Sequence, residues 1–139
     1  MALFILRLLG GIKVIMLKIL IVDDSNFSQK IISNLLKSFL DNAEFFFAND
    51  GREGFDKYKE IKPDYVFVDL LMPNINGKEL IKLIKEYDAS CKIIVISADV
   101  QKNVREDMES YNIMYFINKP FNQEKAKFIC EKIGNDKNE

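Results

Sequence analysis

The chain has no histidine and no tryptophan among its 139 residues, and only three prolines and two cysteines. Without imidazole there is no Ser-His or Cys-His nucleophile pair and no histidine metal ligand. Cys91 and Cys130 lie far apart, match no metal or redox spacing and fall where apolar residues are expected, as small buried thiols do. Charge of either sign is not in excess: 20 Lys and Arg against 21 Asp and Glu give a net charge of −1. That balance offers no electrostatic footprint for nucleic acid and no general attraction to a membrane. Any chemistry must therefore run on carboxylates, hydroxyls, lysine and a recruited ion. Apolar content of 48% and charged content of 29% are those of a soluble globular chain sized for one core.

A long hydrophobic run is missing too. The opening "MALFILRLLGGIKVI" (1–15) has no acid, carries Arg7 and Lys13, and is broken by Gly10-Gly11. A membrane-spanning helix needs about 20 apolar residues, so no stable membrane insertion is expected. This N-terminal extension reads as a start assigned too far upstream or as a loosely held tail, with a membrane-surface or partner-binding segment as the sharper alternative. Met16 is the natural opening of a domain spanning 16–139.

From there, short apolar runs alternate with segments of helical period. "KILIV" (18–22), "EFFFA" (44–48), "DYVFVD" (64–69), "KIIVIS" (92–97) and "MYFIN" (114–118) read as strands, the uninterrupted ones as strands buried on both faces. Between them, Ile31, Ile32, Leu35, Leu36 and Phe39 make one helical stripe, and Leu80, Leu83 and Ile84 another. Asp50 with Glu53 three positions on forms a capping-box pattern. Val104, Met108 and Tyr111 predict a fourth helix, and Ala126, Ile129, Cys130 and Ile133 a fifth. Five βα units predict a doubly wound α/β fold with a parallel sheet and helices on both faces. In such sheets, ligands bind beyond the carboxyl ends of the strands.

Four predicted strand ends carry polar groups: Asp23-Asp24, Asp69, Ser97 and Lys119. Three acids sharing a crevice repel unless a cation neutralises them. Hard oxygen donors without His or Cys select Mg²⁺, with Mn²⁺ as a substitute. Asp69 is then placed as a carboxylate nucleophile toward phosphorus, with Lys119 and Ser97 available to the phosphoryl oxygens. Asp24 and Ser25, taken alone, are equally suited to capping the first helix.

The motifs "ILIVDDS" (19–25), "ANDGREG" (48–54), "PDYVFVDLLMPNINGKEL" (63–80), "VISA" (95–98) and "NKPF" (118–121) resemble the receiver domains of two-component response regulators, closest to stand-alone, CheY-like forms. The resemblance runs from Met16 to about Ile133 and implies the strand order 2-1-3-4-5 of that flavodoxin-like family. It implies that Asp69 is the phosphoacceptor and that Asp23, Asp24, Asp69 and the main-chain carbonyl of Leu71 hold Mg²⁺. Ser97, Ala98 and Lys119 match the phosphoryl-binding positions, Lys119-Pro120 the family's cis peptide, and Phe116 its aromatic switch. As plain packing, Phe116 would be an ordinary core aromatic.

By the same resemblance, a sensor histidine kinase or phosphotransfer protein donates the phosphoryl group. The chain is then a cytoplasmic signalling domain rather than an enzyme, in a phosphorelay or in chemotaxis, as a monomer or a weak phosphorylation-dependent dimer. No residues past about 135 form an output domain, so the output is expected to be a protein contact on the face of the fourth helix, fifth strand and fifth helix. Asn112-Ile113 depart from the small pair that often precedes the fifth strand, and Leu71 offers no polar side chain to a hydrolytic water.

Three alternatives stand beside this reading. A magnesium phosphohydrolase with its nucleophile on the first strand would place an acid two residues after Asp23, where Ser25 stands. A flavodoxin-type module would need a Ser/Thr/Gly-rich phosphate loop, absent from residues 23–28. A degenerate receiver acting as a binding scaffold would not need all five site residues.

Overall fold

A computed structural model describes the backbone of residues 4–9, 12–99 and 101–137. In chain order the elements are β1 (Phe4–Leu9), β2 (Ile12–Val22), α1 (Asn26–Lys37), β3 (Ala43–Ala48), α2 (Gly51–Ile61), β4 (Tyr65–Val68), α3 (Gly77–Tyr87), β5 (Ile93–Ser97), α4 (Lys102–Glu109), β6 (Tyr115–Asn118) and α5 (Gln123–Lys137). Five strands run parallel in the order β3-β2-β4-β5-β6, which is the expected 2-1-3-4-5 counted from β2. β2 begins earlier than "KILIV", and β1 pairs antiparallel with its first half, from Phe4 opposite Leu17 to Leu9 opposite Ile12. The sheet thus has a sixth strand that the reading of 1–15 as an extension did not foresee. Residues 1–3, 10 and 11 of that extension lie outside the described residues.

The sheet separates two cores, and alternation along each strand feeds both. Ile19, Ile21, Phe67 and Ile94 point to the layer of α1 and α5, where they meet Ile32, Leu36 and Ile129. Leu20, Val22, Val68 and Val95 point to α2, α3 and α4, against Tyr58, Leu80 and Met108. Burial on both faces explains why these strands read as unbroken apolar runs. The helical stripes needed two adjustments. Ile31 is 36% exposed at the edge of α1, and Ile81 rather than Leu83 is the apolar side chain buried beside Leu80 and Ile84 in α3. Both thiols are free and buried.

The turns follow local chemistry. Ser25 caps α1, its hydroxyl accepting the Ser28 amide, so Asp24 is exposed and spared that task. Asp50 caps α2 by accepting the Glu53 amide. Asn112 ends the α4 turn at φ 58, a left-handed conformation asparagine tolerates, and this is how Asn112-Ile113 replace a small pair.

Asp88 closes α3 and ties it to α2. Its carboxylate accepts the Ser90 hydroxyl and amide at 2.7 and 3.1 Å, and the Tyr58 hydroxyl at 2.9 Å. The Ser90 hydroxyl bond, with Tyr58 and the amide adding to it, holds the carboxyl below the usual value of 3.8. A carboxyl depressed on folding stabilises the native state above its unfolded pKa and loses that contribution as the pH falls through the folded value. Asp88→Asn is therefore expected to melt a few degrees below the parent at pH 7. The gap should begin to narrow below about pH 4 and close as the pH passes the lower folded value; a pH-independent gap in thermal melts would assign the effect to shape rather than charge.

Candidate functional site

The parallel ladder brings the polar strand ends together. The Asp23 amide donates to the Ala48 carbonyl at 3.1 Å, the Asp69 amide to the Val22 carbonyl at 3.0 Å, and the Lys119 amide to the Ser97 carbonyl at 2.8 Å. Asp23, Asp69, Ser97 and Lys119 consequently emerge at one edge, as the sequence reading expected of a parallel sheet. One carboxylate oxygen from each of Asp23, Asp24 and Asp69 lies within 4.8 Å of the others. Asp23 and Asp69 are buried, at 1% and 7% exposure, while Asp24 is exposed.

Such a cluster survives only because donors surround it. Lys119 Nζ, reaching in from the end of β6, sits 3.4 Å from Asp23 Oδ2 and 3.4 Å from Asp69 Oδ2. Asp69 Oδ1 accepts the Leu71 amide at 3.2 Å, and Asp23 Oδ1 accepts the Ser25 amide at 2.9 Å. Burial raises the Asp69 carboxyl above its usual value, against the opposing pull of Lys119 and the Leu71 amide. One ammonium against three carboxylates leaves the ionised cluster net negative. Its donors are all oxygens, a set that fits a hard divalent cation such as Mg²⁺ or Mn²⁺ and suits zinc or copper poorly.

The remaining positions surround this cluster. Ser97 is fully buried and its hydroxyl oxygen accepts the Asp99 amide at 3.1 Å. Ala98 is exposed beside it. The Lys119-Pro120 peptide is cis, and Lys125 Nζ reaches the Asn118 and Pro120 carbonyls on either side of Lys119. Ser25, at the position two residues after Asp23 where the phosphohydrolase alternative would place an acid, is occupied as a helix cap.

The family model for the response regulator receiver domain matches residues 19–129. The chain belongs to the response regulator receiver family. Among its relatives, the chemotaxis protein CheY of Listeria monocytogenes is 39% identical over 119 residues, covering 84% of this chain and 98% of that protein. CheY of Thermotoga maritima is 36% identical over 120 residues, covering 84% and 97%. Among solved structures, the response regulator domain of Thermotoga maritima CheB superposes with a TM-score of 0.76 at 29% identity, covering 89% of this chain and 98% of that one. A chain of the CheX–CheY–BeF3–Mg²⁺ complex from Borrelia burgdorferi gives 0.77 at 29% identity, covering 91% and 90%.

Within the receiver, Phe116 is turned inward. It is 8% exposed, packs in the α2–α4 core and carries the Arg105 guanidinium 5.7 Å from its ring centre. Leu71 lies at the other extreme, 65% exposed just past Asp69.

Three residues that sequence reasoning passed over brace the receiver site. The Ser28 hydroxyl donates to Asp23 Oδ2 at 2.7 Å, and the buried Gln29 Nε2 lies within reach of the Asp23 carbonyl at 2.7 Å and Asn49 Oδ1 at 2.9 Å. The Ser25 cap was the available signal, since it turns the third residue of the helix back toward the strand end. Gly77 is the third. It opens α3 against the back of Asp69, its amide donating to the Leu70 carbonyl at 3.1 Å. A Cβ at Gly77 would lie 2.3 Å from the Asp69 carbonyl oxygen and 2.6 Å from Leu70 Cα, both backbone atoms. Gly77→Ala must push the end of β4 and α3 apart, and is expected to cost about 1–3 kcal/mol of stability in denaturant titrations. An unchanged midpoint would show that Gly77 does not set the position of Asp69.

Proposed function

We propose that this receiver accepts a phosphoryl group on Asp69 from a histidine kinase or phosphotransfer protein, and signals through phosphorylation-dependent protein contact. The observation that carries the reading is the buried Asp69 carboxylate at the end of the central strand, with Lys119 at 3.4 Å and two further carboxylates within 4.8 Å. An Asp69 oxygen attacks phosphorus and forms an O–P bond as the donor's N–P bond breaks, the imidazole leaving with the bonding pair. Lys119 lies where it can follow the charge that passes from carboxylate to phosphoryl oxygens, and the Ser97 hydroxyl can hydrogen-bond one of them. Asp23, Asp24, Asp69 and the Leu71 carbonyl would hold Mg²⁺ or Mn²⁺, which when bound neutralises charge on the phosphoryl group.

The pathway follows the relatives: chemotaxis, in the cytoplasm, with the face of α4, β6 and α5 as the output surface and Phe116 as the residue that responds to the site. In this reading phosphotransfer and the hydrolysis of the acyl phosphate by water are self-catalysed, which makes the chain a signalling domain rather than a turnover enzyme. Among the described residues, no helix is long and apolar enough to cross a membrane.

With Mg²⁺ and acetyl phosphate, intact-mass analysis should detect one phosphoryl adduct, absent from Asp69→Asn. An adduct persisting in that variant would reject Asp69 as the acceptor. The exposed Leu71 side chain has no group to orient a hydrolytic water, which favours a long-lived adduct. Leu71→Asn should shorten its lifetime severalfold; equal decay curves would exclude this position from the control of hydrolysis.

A further inference from the structure

Asp23 is held at every polar atom. Its amide donates to the Ala48 carbonyl, its carbonyl accepts from Gln29, and its Oδ1 accepts the Ser25 amide. Oδ2 is shared by Lys119 at 3.4 Å and the Ser28 hydroxyl at 2.7 Å. The Ser28 bond is the shortest on this carboxylate and belongs to the charge-assisted O–H···O⁻ class. Ser28 is itself fixed, its amide donating to the Ser25 hydroxyl at 3.1 Å.

A carboxylate offers about four acceptor positions, and protein donors take three of them here. A hydroxyl on Oδ2 affects cation binding in two opposed ways. It orients the carboxylate, which favours binding, and it offsets part of the charge, which disfavours it. The surroundings decide between them. Without Ser28, Asp23 would still be anchored through its main chain, Ser25 and Lys119, so orientation persists. The charge compensation does not persist, because at 1% exposure Asp23 has little water to replace the lost donor.

Resting on the divalent-cation reading of the site, we infer that Ser28 is a positioning residue that acts through Asp23 to set cation affinity. Its hydroxyl carries part of the Asp23 charge in the cation-free protein and holds affinity below what the three acids alone would reach. Removing it penalises the cation-free form more than the bound form, where the cation compensates the same charge. By linkage, that difference appears as tighter binding.

The test compares the full-length parent, Ser28→Ala and Ser28→Thr. Melting is followed in EDTA and in saturating Mg²⁺, and Mn²⁺ binding by the electron paramagnetic resonance of the free ion. Ser28→Ala is expected to melt below the parent in EDTA, to recover most of that deficit in Mg²⁺, and to bind Mn²⁺ about three- to tenfold more tightly. Ser28→Thr, which keeps the hydroxyl, should match the parent in both readouts. An equal deficit with and without Mg²⁺, or unchanged or weaker Mn²⁺ binding in Ser28→Ala, would overturn the inference while leaving the site reading intact. A parent that neither binds Mn²⁺ nor responds to Mg²⁺ would overturn both.

Discussion

Two carboxylates buried at the edge of a sheet are the constraint around which this receiver is arranged. Taking an ionised carboxyl out of water costs several kcal/mol unless donors replace the lost hydration. Asp23 and Asp69 have 1% and 7% of their surface in solvent, so nearly all of that replacement comes from the protein. The decisive donor is Lys119, equidistant from both at 3.4 Å and delivered by a strand far along the chain. Neither acid can be compensated in this way until β2, β4 and β6 are all in place. Site assembly and sheet assembly are thus the same event.

Local structure then distributes the rest of the load. Ser25 starts α1 directly after the acids, so the amide-rich end of that helix faces them, a placement that favours negative charge. Because Ser25 takes the capping task, Asp24 stays exposed and available to a ligand from solvent. Gly77 lets α3 begin in backbone contact with Asp69, closing the site from behind without a side chain between them. Ser28 and Gln29, one helical turn in, brace Asp23 from the other side. The cluster is net negative yet well ordered, the condition under which a cation binds with little reorganisation.

Much of this was legible along the chain. Unbroken apolar runs announced strands covered on both faces, and the polar residue following each run marked the functional edge. Asp23, Asp24, Asp69, Ser97 and Lys119 were readable because each stands at the end of such a run, where a parallel sheet leaves only one place to point. Helical periodicity was less exact at the margins of each stripe: of the expected Ile31 and Ile32 only Ile32 is buried, and in α3 Ile81 is buried where Leu83 was expected. The antiparallel pairing of β1 with β2 was not legible, because an apolar segment interrupted by Gly10-Gly11 fits a tail, a surface segment and a strand pair equally well.

By itself the sequence determined the βα alternation, the sheet type and the identity of the acids, hydroxyl and lysine at the strand ends. These are consequences of period and position, which depend on neighbours along the chain. Tertiary structure alone decided which hydroxyl completes Asp23, that Ser25 rather than Asp24 caps α1, and that one ammonium serves two carboxylates. The last depends on residues remote in the chain, brought within a few ångströms only once the strands have paired; the first two are choices among near neighbours, settled by the path of the backbone from β2 into α1.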